Sequence, residues 1–218
     1  MRRAADGIDL VAWRVTSGQR VAPRRSSTVL LWIRQTPVMP HNLLLTGPPG
    51  CGKTTAVRRV IDALGSRKLS GFYTEEIRLS NQRVGFRAIG LNGSSAVLAH
   101  VDFRSTHRVG RYGVDVDAFE AVVRSELDPP SEATEFIVID EIGKMECLSR
   151  VFVDIVSQLL DCRVPVLATV AAKAGGFIAE VKARDDVEIT TLSPRNPDAA
   201  PQLILQRLLT GFTCGPKR

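Results

Sequence analysis

The chain has 218 residues, of which 44% are hydrophobic and 24% charged, and a formal net charge of +6. That is ordinary globular usage, sized for one domain or one domain with an appendage, and it excludes a disordered chain, a collagen and a small disulfide scaffold. Apolar runs such as Phe136 to Ile139 fall far short of the roughly 18 residues that cross a bilayer, so a soluble protein is expected.

The charge is unevenly placed. Residues 1–40 hold seven arginines against Asp6 and Asp9, and the other 178 residues carry the remaining 22 basic and 21 acidic side chains. The basic pI of about 9.5 therefore belongs to the leader. A nucleic-acid surface needs basic residues clustered on a folded face, and a near-balanced domain gives that little support. Cys51, Cys147, Cys162 and Cys214 are scattered, with no C-x-x-C pair and no histidine at ligand spacing. This argues against a zinc site and a disulfide framework, and it fits a reducing, cytoplasmic setting.

Residues 1–40 show no sustained period of 3.6 or 2. Their Arg- and Ser-rich, acid-poor composition resembles an organellar transit segment. Met39, however, stands directly before Pro40-His41-Asn42 and the apolar Leu43-Leu44-Leu45, where a chain would open into its first core strand. Residues 1–38 are expected to be a disordered extension or an upstream addition, and 39–218 the domain.

Asn42 to Thr46 reads as a short buried strand. It is followed by Gly47, Pro48, Pro49, Gly50, Cys51, Gly52, Lys53 and Thr54, which satisfy G-x-x-x-x-G-K-[ST]. From Thr55 onward a helix is predicted, with Ala56, Val57, Val60, Ile61 and Leu64 on one stripe and Gly65 as its stop. Strand, glycine loop and helix are the context this motif requires. Glycines let successive N–H groups converge on phosphate oxygens, and the helix N-terminus adds its positive dipole end. Lys53 supplies a compact charge to the β- and γ-phosphates, and Thr54 offers a hydroxyl to Mg²⁺. The loop points to a nucleoside-triphosphate site.

Arg67 to Thr74 reads as a second strand ending near Glu75-Glu76, acids that either approach the nucleotide or close a charged strand end. Val84–Leu91 and Ser95–Val101 form a hairpin through Asn92-Gly93-Ser94, expected as an excursion from the main sheet. Asp117 with Glu120 is read as the cap of a helix carrying Phe119, Val122, Val123 and Leu127. Phe136 to Ile139 is a continuous apolar strand, as in a parallel sheet buried on both faces, and it runs into Asp140-Glu141. Acids at the C-terminal end of such a strand stand where α/β sheets place ligands. Asp140 is the candidate Mg²⁺ acid beside Thr54, and Glu141 the candidate base for a water attacking the γ-phosphate. A further helix carries Phe152, Ile155, Val156 and Leu159. Strands at Val164–Val170 and Val187–Thr191 and a helix at Gln202–Leu209 complete the expected order. Arg108, Arg111 and Arg150 are candidates to reach the γ-phosphate, whereas His100 and His107 lack the company of a catalytic histidine.

Leu45–Thr55, Gly71–Arg78 (GFYTEEIR), Arg83–Phe86 (RVGF), Val109–Val116 (VGRYGVDV) and Ile139–Ser149 (IDEIGKMECLS) come in that order. Together they resemble the THEP-type, or cancer-related, nucleoside-triphosphatases over about residues 41–193. The resemblance implies a monomeric RecA-like or kinase-like P-loop NTPase fold, an α/β parallel-sheet three-layer domain with an inserted β-hairpin. It also implies Mg²⁺-dependent hydrolysis of ATP, GTP and other triphosphates to diphosphate and phosphate, with low base selectivity. By position it makes Gly47–Thr54, with Thr55, the phosphate loop. Asp140, Glu141, Ile142, Gly143, Lys144, Met145 and Glu146 then become the acidic block lining the nucleotide. The chain departs from the family at Cys51, at Cys147, after Ala168-Thr169-Val170, and at Arg195-Asn196. Two other readings stand beside it. One is a small-molecule kinase with segment 83–111 as a lid; the other is a nucleotide-driven switch for a protein or RNA partner.

Overall fold

The computed structural model describes residues 41–128, 130–173, 175–193 and 199–210. The chain divides into Met1–Pro37 and Val38–Arg218. The leader, Met39, Arg195-Asn196 and Cys214, all singled out from the sequence, lie outside the described residues.

Five parallel strands form the centre: β1 (Asn42–Thr46), β2 (Leu69–Leu79), β7 (Phe136–Ile142), β8 (Val166–Val170) and β9 (Val187–Thr191). Four more are antiparallel: β3 (Gln82–Gly90), β4 (Ser95–His100), β5 (Arg108–Val109) and β6 (Tyr112–Val114). The order across the sheet is β5-β6-β4-β3-β2-β7-β8-β1-β9. The hairpin expected as an excursion is present, but it lies in the same sheet. β2 runs eleven residues, past the expected end at Thr74, and reverses at Ser80-Asn81 with φ of +46° and +64° to pair with β3. Two consecutive residues at positive φ are what a tight hairpin turn demands. The outcome is an antiparallel arm continuing the parallel core.

Helices cover both faces. Because successive side chains on a strand point to opposite sides, the apolar runs feed two cores. Leu44, Ile137, Ile139 and Ala168 share one core with α2 (Val116–Leu127) and α3 (Arg150–Asp161). Leu43, Leu45, Val138 and Leu167 share the other with α1 (Lys53–Leu64) and α5 (Ala199–Thr210). The first core is centred on Phe72, Phe119 and Phe152. Phe72 meets the other two rings edge-on at 5.4 and 6.1 Å between centroids, a favourable aromatic geometry.

Two caps differ from expectation. Asp115, not Asp117, caps α2 by accepting from the Ala118 N–H at 3.0 Å. Glu120 instead accepts the Ser149 hydroxyl at 2.7 Å, and Ser149 Oγ in turn caps α3 through the Phe152 N–H. These bonds tie α2 to α3. A short helix, α4 (Phe177–Lys182), had no expectation from the sequence.

Candidate active site

β1 ends at Thr46, and the chain then turns through the glycine loop into α1. Gly50 and Gly52 have φ of +76° and +94°, which a side chain would strain. Gly52 is the N-cap of α1 and offers no side chain, and no acid lies in the first turn. The N-terminal amides and the dipole of a twelve-residue helix are therefore left for an anion.

β8 lies between β1 and β7, so the end of β8 separates the loop from the acids. Lys53 bridges that gap: its Nζ is 3.4 Å from the Gly47 carbonyl oxygen and 3.6 Å from Glu141 Oε2. Asp140 is fully buried. The Thr169 hydroxyl donates to its Oδ1 at 2.5 Å, while Oδ2 is buried without a hydrogen-bond partner. The peptide joining Asp140 to Glu141 is cis.

Burial pushes the carboxyl of Asp140 above its ordinary range, against the Thr169 and Thr54 hydroxyls, the Thr74 N–H and the Lys53 charge, which favour ionisation. Burial also raises Glu141; Lys53 and Lys182 oppose the rise and Asp140 adds to it. Glu146 is pushed up to about 8, chiefly by burial, with the charges of Glu141 and Asp140 adding to it. Burial likewise pushes the Cys147 thiol up to about 12.

Two clefts meet over this centre. The first, of about 710 Å³, runs from the loop (Pro49, Gly50, Gly52, Lys53, Thr54, Thr55) past Glu141, Gly143, Lys144, Met145 and Glu146. It continues along the arm to Thr74, Glu75, Glu76, Arg83, Phe86 and Val109. The second, of about 620 Å³, is lined by Gly47, Pro48, Pro49, Lys53, Glu141, Ala171, Lys182 and Ile189 among others. Most expected site residues are thus brought together.

Fully buried Asp140 lines neither cleft. Nor do Cys51 and Ile142. Both side chains are buried in the cores, and the Cys51 N–H is given to the Pro48 carbonyl at 3.2 Å. The arginine candidates are also placed elsewhere. Arg108 donates to the Phe103 and Arg111 carbonyls, Arg111 donates to the Arg83 carbonyl, and exposed Arg150 pairs with Asp154 at 2.9 Å. The arginines that do line the first cleft are Arg58, held by Glu75 at 2.8 Å, and Arg83, held by Glu76 at 2.7 Å. Arg83 also reaches the Tyr112 hydroxyl at 3.1 Å and stacks on Phe86. Glu75 and Glu76 therefore stand at the cleft, and each is already paired. His100 takes the Asp102 N–H, and His107 is exposed.

Hard oxygen donors with one unused buried oxygen fit Mg²⁺, which binds through one or two carboxylates plus substrate phosphates. Asp140 Oδ2 is that oxygen. Among the described residues no group of three or more His, Cys, Asp or Glu could hold a metal ion, and such a cluster is not what Mg²⁺ requires.

A family model described as NTPase matches residues 42–205. The chain belongs to this nucleoside-triphosphatase family. Nucleoside-triphosphatase THEP1 of Thermotoga sp. (strain RQ2) is 38% identical over 166 residues, covering 76% of this chain and 94% of that protein. The cancer-related nucleoside-triphosphatase of Homo sapiens is 34% identical over 173 residues, covering 72% and 91%. The crystal structure of THEP1 from Aquifex aeolicus superposes with a TM-score of 0.71 at 36% identity, covering 77% of this chain and 98% of that one. The family model thus spans every strand of the described sheet, arm included.

Among the described residues no helix is long and apolar enough to cross a membrane.

Proposed function

We propose that the chain hydrolyses nucleoside triphosphates to diphosphate and phosphate, with Mg²⁺, slow turnover and little selectivity for the base. The observation that carries this reading is Lys53 standing between the glycine loop and Glu141, in a cleft of about 710 Å³. The family relatives' names support it.

The loop amides and the α1 dipole hold the phosphates, and Lys53 neutralises charge at the γ end. Thr54 and Asp140 would hold Mg²⁺, which supplies electrostatic neutralisation of the phosphate oxygens. Glu141 orients a water and takes its proton as the water oxygen bonds to the γ-phosphorus. The bond to the bridging oxygen breaks, and the diphosphate leaves with the electron pair. Lys53 couples binding to this step. In the free protein its charge is the strongest influence opposing the rise of Glu141. A bound phosphate competes for that charge, so Glu141 becomes a stronger base when substrate is present.

Slow turnover follows from the arginines. A delivered arginine is worth about 10³ to 10⁵ in phosphoryl transfer, and both arginines lining the first cleft are engaged by carboxylates. A monomer in a cytoplasmic setting is the proposed context. The kinase reading keeps one supporting observation, the extension of the first cleft along the arm to Arg83, Phe86 and Val109, which leaves room for an acceptor.

The test is phosphate release from ATP and GTP by the full chain with Mg²⁺ and no added acceptor. Slow release from both is expected. Tight nucleotide binding without release would overturn hydrolysis in favour of a kinase lacking its acceptor or a switch lacking its partner.

A further inference from the structure

Lys182 is the last residue of α4, half-buried, and its Nζ donates to the Ala171 and Ala172 carbonyls at 2.6 and 2.9 Å. Those two residues directly follow β8, the strand between the glycine loop and the acids. Ala171 is itself fastened to β7 through its N–H, 3.3 Å from the Ile142 carbonyl oxygen. It also lines both clefts, as do Lys53 and Glu141. The two clefts therefore meet where a γ-phosphate held by Lys53 must lie, and Lys182 lines the second of them.

An ammonium group has three donors. Two are accounted for by carbonyls, and among the described residues the third has no partner and Lys182 makes no ion pair. A half-buried cation with an unused donor, whose charge reaches Glu141 without forming an ion pair, beside a site that takes a polyanion, is placed to bind an anion.

We infer that Lys182 is a second phosphate-binding cation, contacting the γ-phosphate in cis through the N–H that the Ala171–Ala172 turn leaves unused. The inference rests on the triphosphatase reading above and gives that site its selectivity for triphosphate over diphosphate. It also assigns α4 a task. The helix carries the charge to the γ end from the far side of β8, where the expected arginines do not reach. The product diphosphate lacks the group that Lys182 holds, so the contact favours substrate over product.

The test compares binding of the β,γ-imido analogue of ATP with binding of ADP, both with Mg²⁺, by the full chain and two variants. Lys182→Gln keeps amide N–H donors for the two carbonyls while removing the charge. It is expected to lose about 10-fold or more in affinity for the imido analogue and to keep its ADP affinity within about 2-fold. Lys182→Arg, which keeps charge and donors, is expected to retain most of the triphosphate preference.

Equal loss of both nucleotides in Lys182→Gln would overturn the inference, as would an unchanged preference or a chain that no longer folds. In each of those cases the lysine serves the turn and not the substrate. Because the readout is binding, it stands whether or not the unaltered chain releases phosphate, which decides the triphosphatase reading separately.

Discussion

Thr169 and Asp140 share a short hydrogen bond in the buried centre, with the threonine hydroxyl donating to Oδ1 and the other carboxylate oxygen left without a partner. β8 delivers Thr169 and β7 delivers Asp140, so the register of two adjacent parallel strands sets which oxygen remains. The hydroxyl both satisfies one lone pair and orients the plane of the carboxylate. Loss of such an outer partner usually costs about 10- to 100-fold in metal affinity. Thr169→Val, nearly equal in volume, should therefore raise the Mg²⁺ concentration for half-maximal activity by about that factor while leaving the fold intact. A Mg²⁺ titration of phosphate release checks this, and an unchanged midpoint would show that Asp140 needs no orientation from β8.

Glu141 is expected to act as the base, and Glu141→Gln separates that role from binding. The amide can still orient water but cannot take its proton, so turnover should fall by about 10² to 10⁴. Nucleotide affinity should hold or rise, since Lys53, 3.6 Å from Glu141 in the free protein, is released to the phosphates. Single-turnover hydrolysis alongside equilibrium binding separates the two effects. A variant that keeps most of its rate would remove Glu141 from the proton transfer.

The parallel half of the fold was legible because its signals are local. Asn42–Thr46 and Val187–Thr191 match their strands, and Ala56, Val57, Val60 and Leu64 are the buried stripe of α1. The arm was legible only in part. Its β2 extension, Thr74, Glu75, Glu76, Ile77 and Arg78, carries charges on both faces and is half-buried or exposed throughout, so hydrophobic periodicity does not report it. The reversal at Ser80-Asn81 lacks glycine, and its positive φ values are tolerated by residue types that also occupy ordinary loops. At the candidate site, Lys53, Asp140 and Glu141 were singled out by motif and strand position. Lys182 and Thr169 were not, because the sheet order that sets the end of β8 between the glycine loop and the acids cannot be read along a single strand.

Glu126 holds the arm to the domain. It is buried on α2, and its carboxylate accepts the Asn92 and Ser94 N–H groups, the Asn92 side-chain amide and the Ser94 hydroxyl. This four-donor grip fixes the β3–β4 turn on α2, each hydrogen bond contributing about 0.5–1.5 kcal/mol. Glu126→Ala should destabilise the protein by roughly 2–5 kcal/mol and open the turn first. Urea unfolding gives the first quantity. Hydrogen exchange at Asn92 and Ser94 gives the second, and unaltered protection there would mean that the turn holds itself.

Glu146 makes a pH-dependent prediction for the nucleotide- and Mg²⁺-free protein. Its carboxyl sits at about 8 in the folded chain against 4.5 in its ordinary state, mainly because burial disfavours the charge. Between those values the unfolded chain has released the proton and the folded chain retains it. Stability is therefore greatest below about pH 4.5 on this group's account and falls as pH rises towards 8, with a limiting slope of about 1.4 kcal/mol per pH unit. Glu146→Gln removes the titration while keeping the shape. The variant should match the parent near pH 5 and exceed it near pH 8 by on the order of a few kcal/mol, read from denaturant unfolding at the two pH values. An equal difference at both would mean that Glu146 is already ionised in the folded protein.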